Sequence, residues 1–186
     1  MGRLAQKQPP TTLPEHSFSS NLHPPTLEEI AWMQKTSKKQ FPKTRRKTFL
    51  SDELTTQAYN QLPASHSVIR NGTKLLGYHR IFPSSYEQMT RFLNHEINQE
   101  ELIKEILDNQ ETFPQNTNIY LCESFIKEQY QLLGLATNSA KHALEQTKAP
   151  KHAPLYTWPT SQASRQAANK LAQETGRKIY FKESLY

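Results

Sequence analysis

The sequence predicts an α/β (α+β) domain built on a mixed central sheet, and three observations predict it. The stretch "SHSVIRNGTKLLGYHRIFP" (65–83) holds Asn71-Gly72 between two β-prone segments. That dipeptide favours a type I′ hairpin turn, because both of its residues tolerate positive φ. "NIYLCESFI" (118–126) is led by β-branched and aromatic residues and is apolar on both faces, as a central strand requires. Beyond it, alanine-faced helical segments alternate with short strand-like ones, the order of a sheet covered by helices.

Taken in order, residues 1–25 carry five prolines and few large apolar residues, and read as an extended or disordered tail. The single domain spans 26–186. "TLEEIAWMQKTSKKQF" (26–41) opens with a Thr cap and two glutamates, and repeats Leu27, Ile30 and Met33 at helical spacing. "SDELTTQAYNQL" (51–62) is a second helix capped by Ser51. Strands follow at about 66–70 and 74–82, with Pro83 closing the second. Residues 84–110 are helical, with a break near Asn94 between the stripe Tyr86, Met89, Phe92, Leu93 and the stripe Ile97, Leu102, Ile103, Ile106. In the strand at 118–126, strict alternation puts Ile119, Leu121, Glu123 and Phe125 on one face and Tyr120, Cys122, Ser124 and Ile126 on the other. A helix over 135–148 shows Ala136, Ala140, Ala143 and Leu144. A short strand at 153–158 ends before Pro159, and a helix over 161–176 shows Ala163, Ala167 and Leu171. Gly176 is its C′ residue, and 177–186 is a final strand.

Composition narrows the function classes. The chain has 186 residues, 35% of them apolar, with 12 prolines and 5 glycines. That is enough for one core and leaves room for an appendage. A single cysteine, Cys122, excludes an internal disulfide framework and a cysteine-rich zinc site, and a reducing, cytoplasmic location is the simpler expectation. No apolar run approaches the ~18 residues that span a bilayer. The start has no apolar signal core, and Gln6 leaves the myristoylation pattern incomplete. The net charge is +6, and six basic residues fall in "KKQFPKTRRK" (38–47). Such a run suits a phosphate-rich partner, but with no aromatic platform beside it a solvated basic loop accounts for it better. Seven histidines show no metal-ligand spacing. His66 and His79 read as surface or hydrogen-bonded residues, and Cys122 as a buried structural thiol.

The chemistry concentrates at "YQLLGLATNSAK" (130–141), where a buried strand gives way, through a short turn, to a helix. The first amides of a helix lack internal partners and carry the positive end of the dipole, so they suit a phosphate. Gly134 removes a Cβ from the approach and Ala136 is the next-smallest choice. The physical reading is a pyrophosphate cradle.

The residues Gln131-Leu132-Leu133-Gly134-Leu135-Ala136 resemble the Q/R-x-x-G-x-G/A motif of the GNAT superfamily of acyl-CoA-dependent N-acyltransferases. The order of elements over 65–182 is similar to that family's, and the resemblance covers roughly two-thirds of the chain. It implies a β-β-α-β-α-β-α-β order with a V-shaped splay between the fourth and fifth strands. It implies acetyl-CoA as co-substrate, its pyrophosphate held by the main chain of Gln131, Leu132, Leu133, Gly134, Leu135 and Ala136. Ser124, Phe125 and Ile126 would lie along the pantetheine arm. The implied reaction is direct attack of a primary amine, on a small molecule or a protein, upon the thioester. Glu123 would be the general base, with a pKa raised by its apolar strand. The family's usual acid, a Tyr in the fourth helix, falls on Ala172 here, leaving Tyr156, Tyr130 or water for that role. The chain also departs from the family at its ends: a first strand before residue 26 is hard to see, and little chain remains for a seventh. A partner, such as a second copy in a homodimer, could complete the sheet. Two alternatives stand beside this reading: a catalytically inactive acyl-CoA-binding fold, and a basic nucleic-acid-binding module using residues 38–47.

Overall fold

The computed structural model describes residues 14–40, 50–109, 117–147 and 150–183. Helix α1 (Leu27–Gln40) starts at Thr26, whose Oγ accepts from the Glu29 amide at 3.2 Å while Glu29 Oε2 accepts from the Thr26 amide at 2.8 Å. This reciprocal cap, with Glu28 and Glu29 at the positive helix end, fixes the start. Helix α2 (Asp52–Gln61) is capped by Ser51 as the sequence predicts. Strands β2 (His66–Asn71) and β3 (Lys74–Ser84) form the hairpin, with Gly72 at φ +55 in its turn. Helices α3 (Tyr86–Leu93) and α4 (Gln99–Asp108) each begin with a capping box, and their break falls at residues 94–98. Strand β4 (Asn118–Ile126), helix α5 (Leu135–Gln146), strand β5 (Leu155–Thr157), helix α6 (Gln162–Thr175) and strand β6 (Ile179–Phe181) complete the order.

Among the described residues the sheet has six strands in the order β1-β2-β3-β4-β5-β6, antiparallel up to β4 and parallel from β4 to β6. Strand β1 (Ser17–Phe18) lies where the sequence suggests only a tail. It is two residues long, too short for a periodic signal, and side-chain contacts hold it. Phe18 stacks on His142, whose Nε2 is 2.9 Å from the Ser19 carbonyl, and Asn21 bonds twice to Gln146 of α5. Strand β3 does not stop at Pro83 but pairs it with Ile119. At that end β3 is paired on one side only, since β2 begins at His66 opposite Arg80, so a residue without N–H costs no ladder bond.

Helices α1 to α4 cover one face of the sheet and α5 and α6 the other. On the first face Leu54, Phe82, Phe92, Ile103, Ile106, Tyr120 and Tyr156 share one core, and Ile30 and Met33 of α1 pack on Val68 and Tyr78. On the second, Ile81, Ile119, Leu121 and Leu155 meet Ala140, Ala143, Ala168, Leu171 and Ala172. The buried stripe of α6 is thus turned from the expected one, and Ala163 is exposed. Leu27 and Tyr86, expected in apolar stripes, are exposed as well. Gly77 is required by close approach. A Cβ there would lie 2.8 Å from Ile126 Cδ1 and nearer still to the Phe125 carbonyl, where β3 meets β4.

Candidate functional site

The site begins with a bulge. Arg80 pairs with Glu123 but Ile81 pairs with Leu121, so Cys122 is an extra residue in β4. One extra residue reverses the alternation beyond it. Ile119, Leu121, Ser124 and Ile126 therefore face α5 and α6, while Tyr120, Glu123 and Phe125 face the other layer. This corrects the alternation expected from sequence, which a bulge does not reveal. Phe125 packs with Tyr78 and Trp32, on the face opposite α5. Ile126 packs under α5 with Tyr130 and Leu135. Of the three residues expected along a bound arm, Ser124 alone keeps its side chain on the α5 side with an exposed position.

Strands β4 and β5 then part. Their register pairs are Ile119 with Leu155 and Tyr120 with Tyr156, and one further link joins Thr157 Oγ1 to the Leu121 carbonyl at 2.8 Å. Past Thr157 the chain turns off through Trp158 and Pro159, and Pro159 offers no N–H for a ladder. The parting leaves a cleft of about 120 Å³. Leu121, Cys122, Glu123 and Ser124 form one wall, Thr157 to Thr160 another, and Ala136, Ala140, Ala167, Ala168 and Leu171 of the two helices close it. The small side chains along α5 and α6 keep the cleft open, and its β4 wall runs past the last register pair of β4 with β5.

The end of β4 leads to the cradle. A single 3-10 turn over Glu128–Tyr130 is followed by a loop in which Leu132 has φ +64 and Gly134 φ +82. Gly134 is the N-cap of α5, and no side chain caps that end. An added Cβ at Gly134 would meet Asn138 Nδ2 at 4.0 Å and nothing closer, so glycine is required by its left-handed backbone and not by crowding. Left-handed residues in such a loop turn successive amides to one side, a shape suited to anions. Gln131 is exposed, but its Nε2 donates to the Ile126 carbonyl at 3.0 Å and ties the loop to β4. Leu132 is fully exposed, Leu135 is buried, and Ala136 borders the cleft.

Glu123 is not isolated among apolar groups. Tyr78 donates to its Oε1 at 2.5 Å, and Arg80 Nη1 lies 3.4 Å from its Oε2, with the carboxylate side chain 6% exposed. Its backbone borders the cleft while its carboxylate lies on the α1–α4 side of the sheet. Burial, and then the charge of Glu123, push the Tyr78 hydroxyl upward in pKa. Burial, with Glu123 adding, raises the Cys122 thiol as well, which removes it as a nucleophile at neutral pH.

Tyr156 does not reach the cleft. It is 0% exposed, its hydroxyl donates to Ser84 Oγ at 2.8 Å, and its ring packs 5.1 Å from Tyr120 in the α2–α4 core. Adjacent strand residues point to opposite faces, so Thr157 and not Tyr156 faces the cleft. Tyr130, the other phenol considered, bonds Lys74 and packs at the foot of α5, outside the cleft lining. His66 and His79, expected at the surface or hydrogen-bonded, are 2% and 6% exposed, and His79 borders the cleft with neither ring nitrogen bonded. The alternating hydrophobicity of β3 carries no mark of this. Of the basic run at 38–47, residues 41–47 lie outside the described residues. Lys38 pairs with Asp52 at 2.5 Å and Lys39 is exposed. Among the described residues no cluster of His, Cys, Asp and Glu could hold a metal ion, and no helix is long and apolar enough to cross a membrane.

Neither a protein-family model nor a curated protein matches the chain. Solved structures do resemble it. A mosquito arylalkylamine N-acetyltransferase-like 5b structure superposes with a TM-score of 0.53 at 12% identity, covering 84% of this chain and 82% of that one. A putative arylalkylamine N-acetyltransferase 7 from the yellow fever mosquito gives 0.47 at 10% identity, covering 89% and 84%. A structure from Corynebacterium glutamicum, described as histone acetyltransferase HPA2 and related acetyltransferase, gives 0.44 at 13%, covering 80% and 81%. At 12% identity the first shows a shared fold.

Proposed function

We propose that this chain, whose fold is that of the GNAT acetyltransferases, is an N-acyltransferase that moves an acetyl or related acyl group from acetyl-CoA to a primary amine. The observation that carries the reading is the parting of β4 from β5 directly beside the uncapped start of α5. Beyond its last register pair with β5, β4 borders the cleft with residues 122–124, along an edge that no strand covers. An extended arm rich in amides suits such an edge as an added strand would. The α5 amides and the left-handed loop at 132–134 suit the pyrophosphate at the other end of the same ligand. The distance between the two features is one short loop, residues 127–134.

The thioester supplies an acyl carbon already activated toward an amine. The chain's residues then have three tasks. The cleft walls hold the acyl group against β4 at the bulge. Glu123, whose carboxylate lies beside Tyr78 and Arg80 on the sheet face opposite α5, accepts the proton of an amine that reaches the gap between β4 and β5 from that face, directly or through one water. The first turn of α5 holds the phosphates and so keeps the reacting carbon in place. The departing thiolate meets no phenol among the cleft-lining residues, since Tyr156 is turned into the core and Ala172 stands on α6. The thiolate takes its proton from water.

A second reading, acyl-CoA binding without transfer, is favoured by the commitment of Glu123 to Arg80 and Tyr78. A transfer assay separates the two. Purified chain is mixed with acetyl-CoA and a panel of aliphatic, aromatic and peptide amines, and free thiol is followed. Amine-dependent thiol release that falls about a hundredfold or more in Glu123→Gln, with acetyl-CoA affinity unchanged, supports transfer with Glu123 as base. Binding without release on any amine supports the second reading.

A further inference from the structure

His79 has a burden that the reaction outlined above does not use. It sits on β3 between Ser67 and Ser124 in the sheet register, on the α5 side, and borders the cleft with Ala136, Thr137 and Ala140. It is 6% exposed and neither Nδ1 nor Nε2 has a hydrogen-bond partner. Leaving a buried polar group unpaired is costly, so such a group at a cleft wall calls for a ligand. The Oγ of Ser67, its register neighbour, is unpartnered too.

The protonation state says what kind of ligand. Burial lowers the imidazole pKa to about 4, so the ring is neutral near pH 7. A neutral imidazole offers one N–H donor and one lone-pair acceptor. A phosphate needs donors only, and the α5 amides already offer them. A secondary amide needs one acceptor and one donor, which is what the neutral ring presents.

We propose that His79 is a positioning residue that reads an amide of the acyl carrier arm, fixing how deep the arm lies between β4 and α5. The proposal rests on the acyl-CoA reading above. It adds to it a specificity for the amide-bearing arm, separate from the phosphate cradle.

Calorimetry on the full chain tests it with two probes, acetyl-CoA and adenosine 3′,5′-bisphosphate, which has phosphates but no amide arm. His79→Leu is expected to weaken acetyl-CoA binding about tenfold and the bisphosphate by less than about twofold. His79→Gln, whose side chain keeps a donor and an acceptor, is expected to restore most of the loss. Equal weakening of both probes, or no weakening of either, overturns the proposal. A measurement on the unaltered chain guards against a misfolded variant: the imidazole nitrogen resonances of His79 shift with acetyl-CoA and stay put with the bisphosphate. Shifts with both, or with neither, contradict an amide contact. If the unaltered chain binds no acetyl-CoA, both this proposal and the reading beneath it fall. If it binds and His79 is silent, this proposal alone falls.

Discussion

Glu123 lies directly opposite Arg80 in the β3–β4 ladder, and the two side chains, 6% and 3% exposed, form an ion pair on the sheet face away from the cleft. A buried pair adds little against well-packed apolar groups, but removing one partner strands the other charge. Arg80→Met is therefore expected to destabilise the chain by about 3–5 kcal/mol, and adding Glu123→Gln to recover a large part of it. Urea unfolding of the single and double variants measures both. Recovery of nothing would mean the pair is not coupled.

Two buried histidines make stability depend on pH. His66 is held near a pKa of about 3, by burial first and by the Arg80 charge second, and His79 at about 4, by burial. Their unfolded-state value is about 6.5. Between those limits the unfolded chain binds more protons than the folded one, so stability rises with pH. It is complete above about pH 6.5 and is lost as pH falls toward 4. Where both rings are protonated only when unfolded, the slope is up to about 2.7 kcal/mol per pH unit. Urea midpoints at pH 7, 6, 5 and 4.5 are expected to fall steadily, and less steeply in His79→Leu. A flat profile would mean that water or a partner already satisfies both rings.

Two glycines are expected to fail differently. Gly77→Ala pushes a methyl into β4 and is expected to cost about 2–3 kcal/mol. Gly134→Ala meets open space but must hold φ +82, at about 1–2 kcal/mol. Thermal unfolding gives the order. Ligand titration is expected to show that the Gly134 change, smaller in stability, is the larger in acetyl-CoA affinity.

Tyr156→Phe removes one buried hydrogen bond to Ser84 and is expected to cost about 1 kcal/mol with transfer rate unchanged. A large fall in rate at unchanged stability would return Tyr156 to the reaction.

The elements of this fold are visible in the sequence because they rest on local signals. The Asn71-Gly72 turn, the Ser51 and Thr26 caps and the apolar run of β4 all act within a few residues. The β4 bulge is different. Cys122 looks like any other strand residue, and its extra place is visible only against Arg80 and Ile81 across the ladder. That one residue decides which way Glu123, Ser124 and Phe125 face, so the candidate site was legible as positions but not as directions. Strand β1 escaped for a related reason, because its two residues are held by His142 and Gln146, more than a hundred positions away. The same distance hides His79, whose meaning depends on the cleft that α5 and β5 build over it.

Direct titration of the full chain with acetyl-CoA tests the central claim. Saturation at one equivalent, with a dissociation constant well below about 1 mM and competition by adenosine 3′,5′-bisphosphate, is the expected result. No heat of binding at millimolar acetyl-CoA would contradict it.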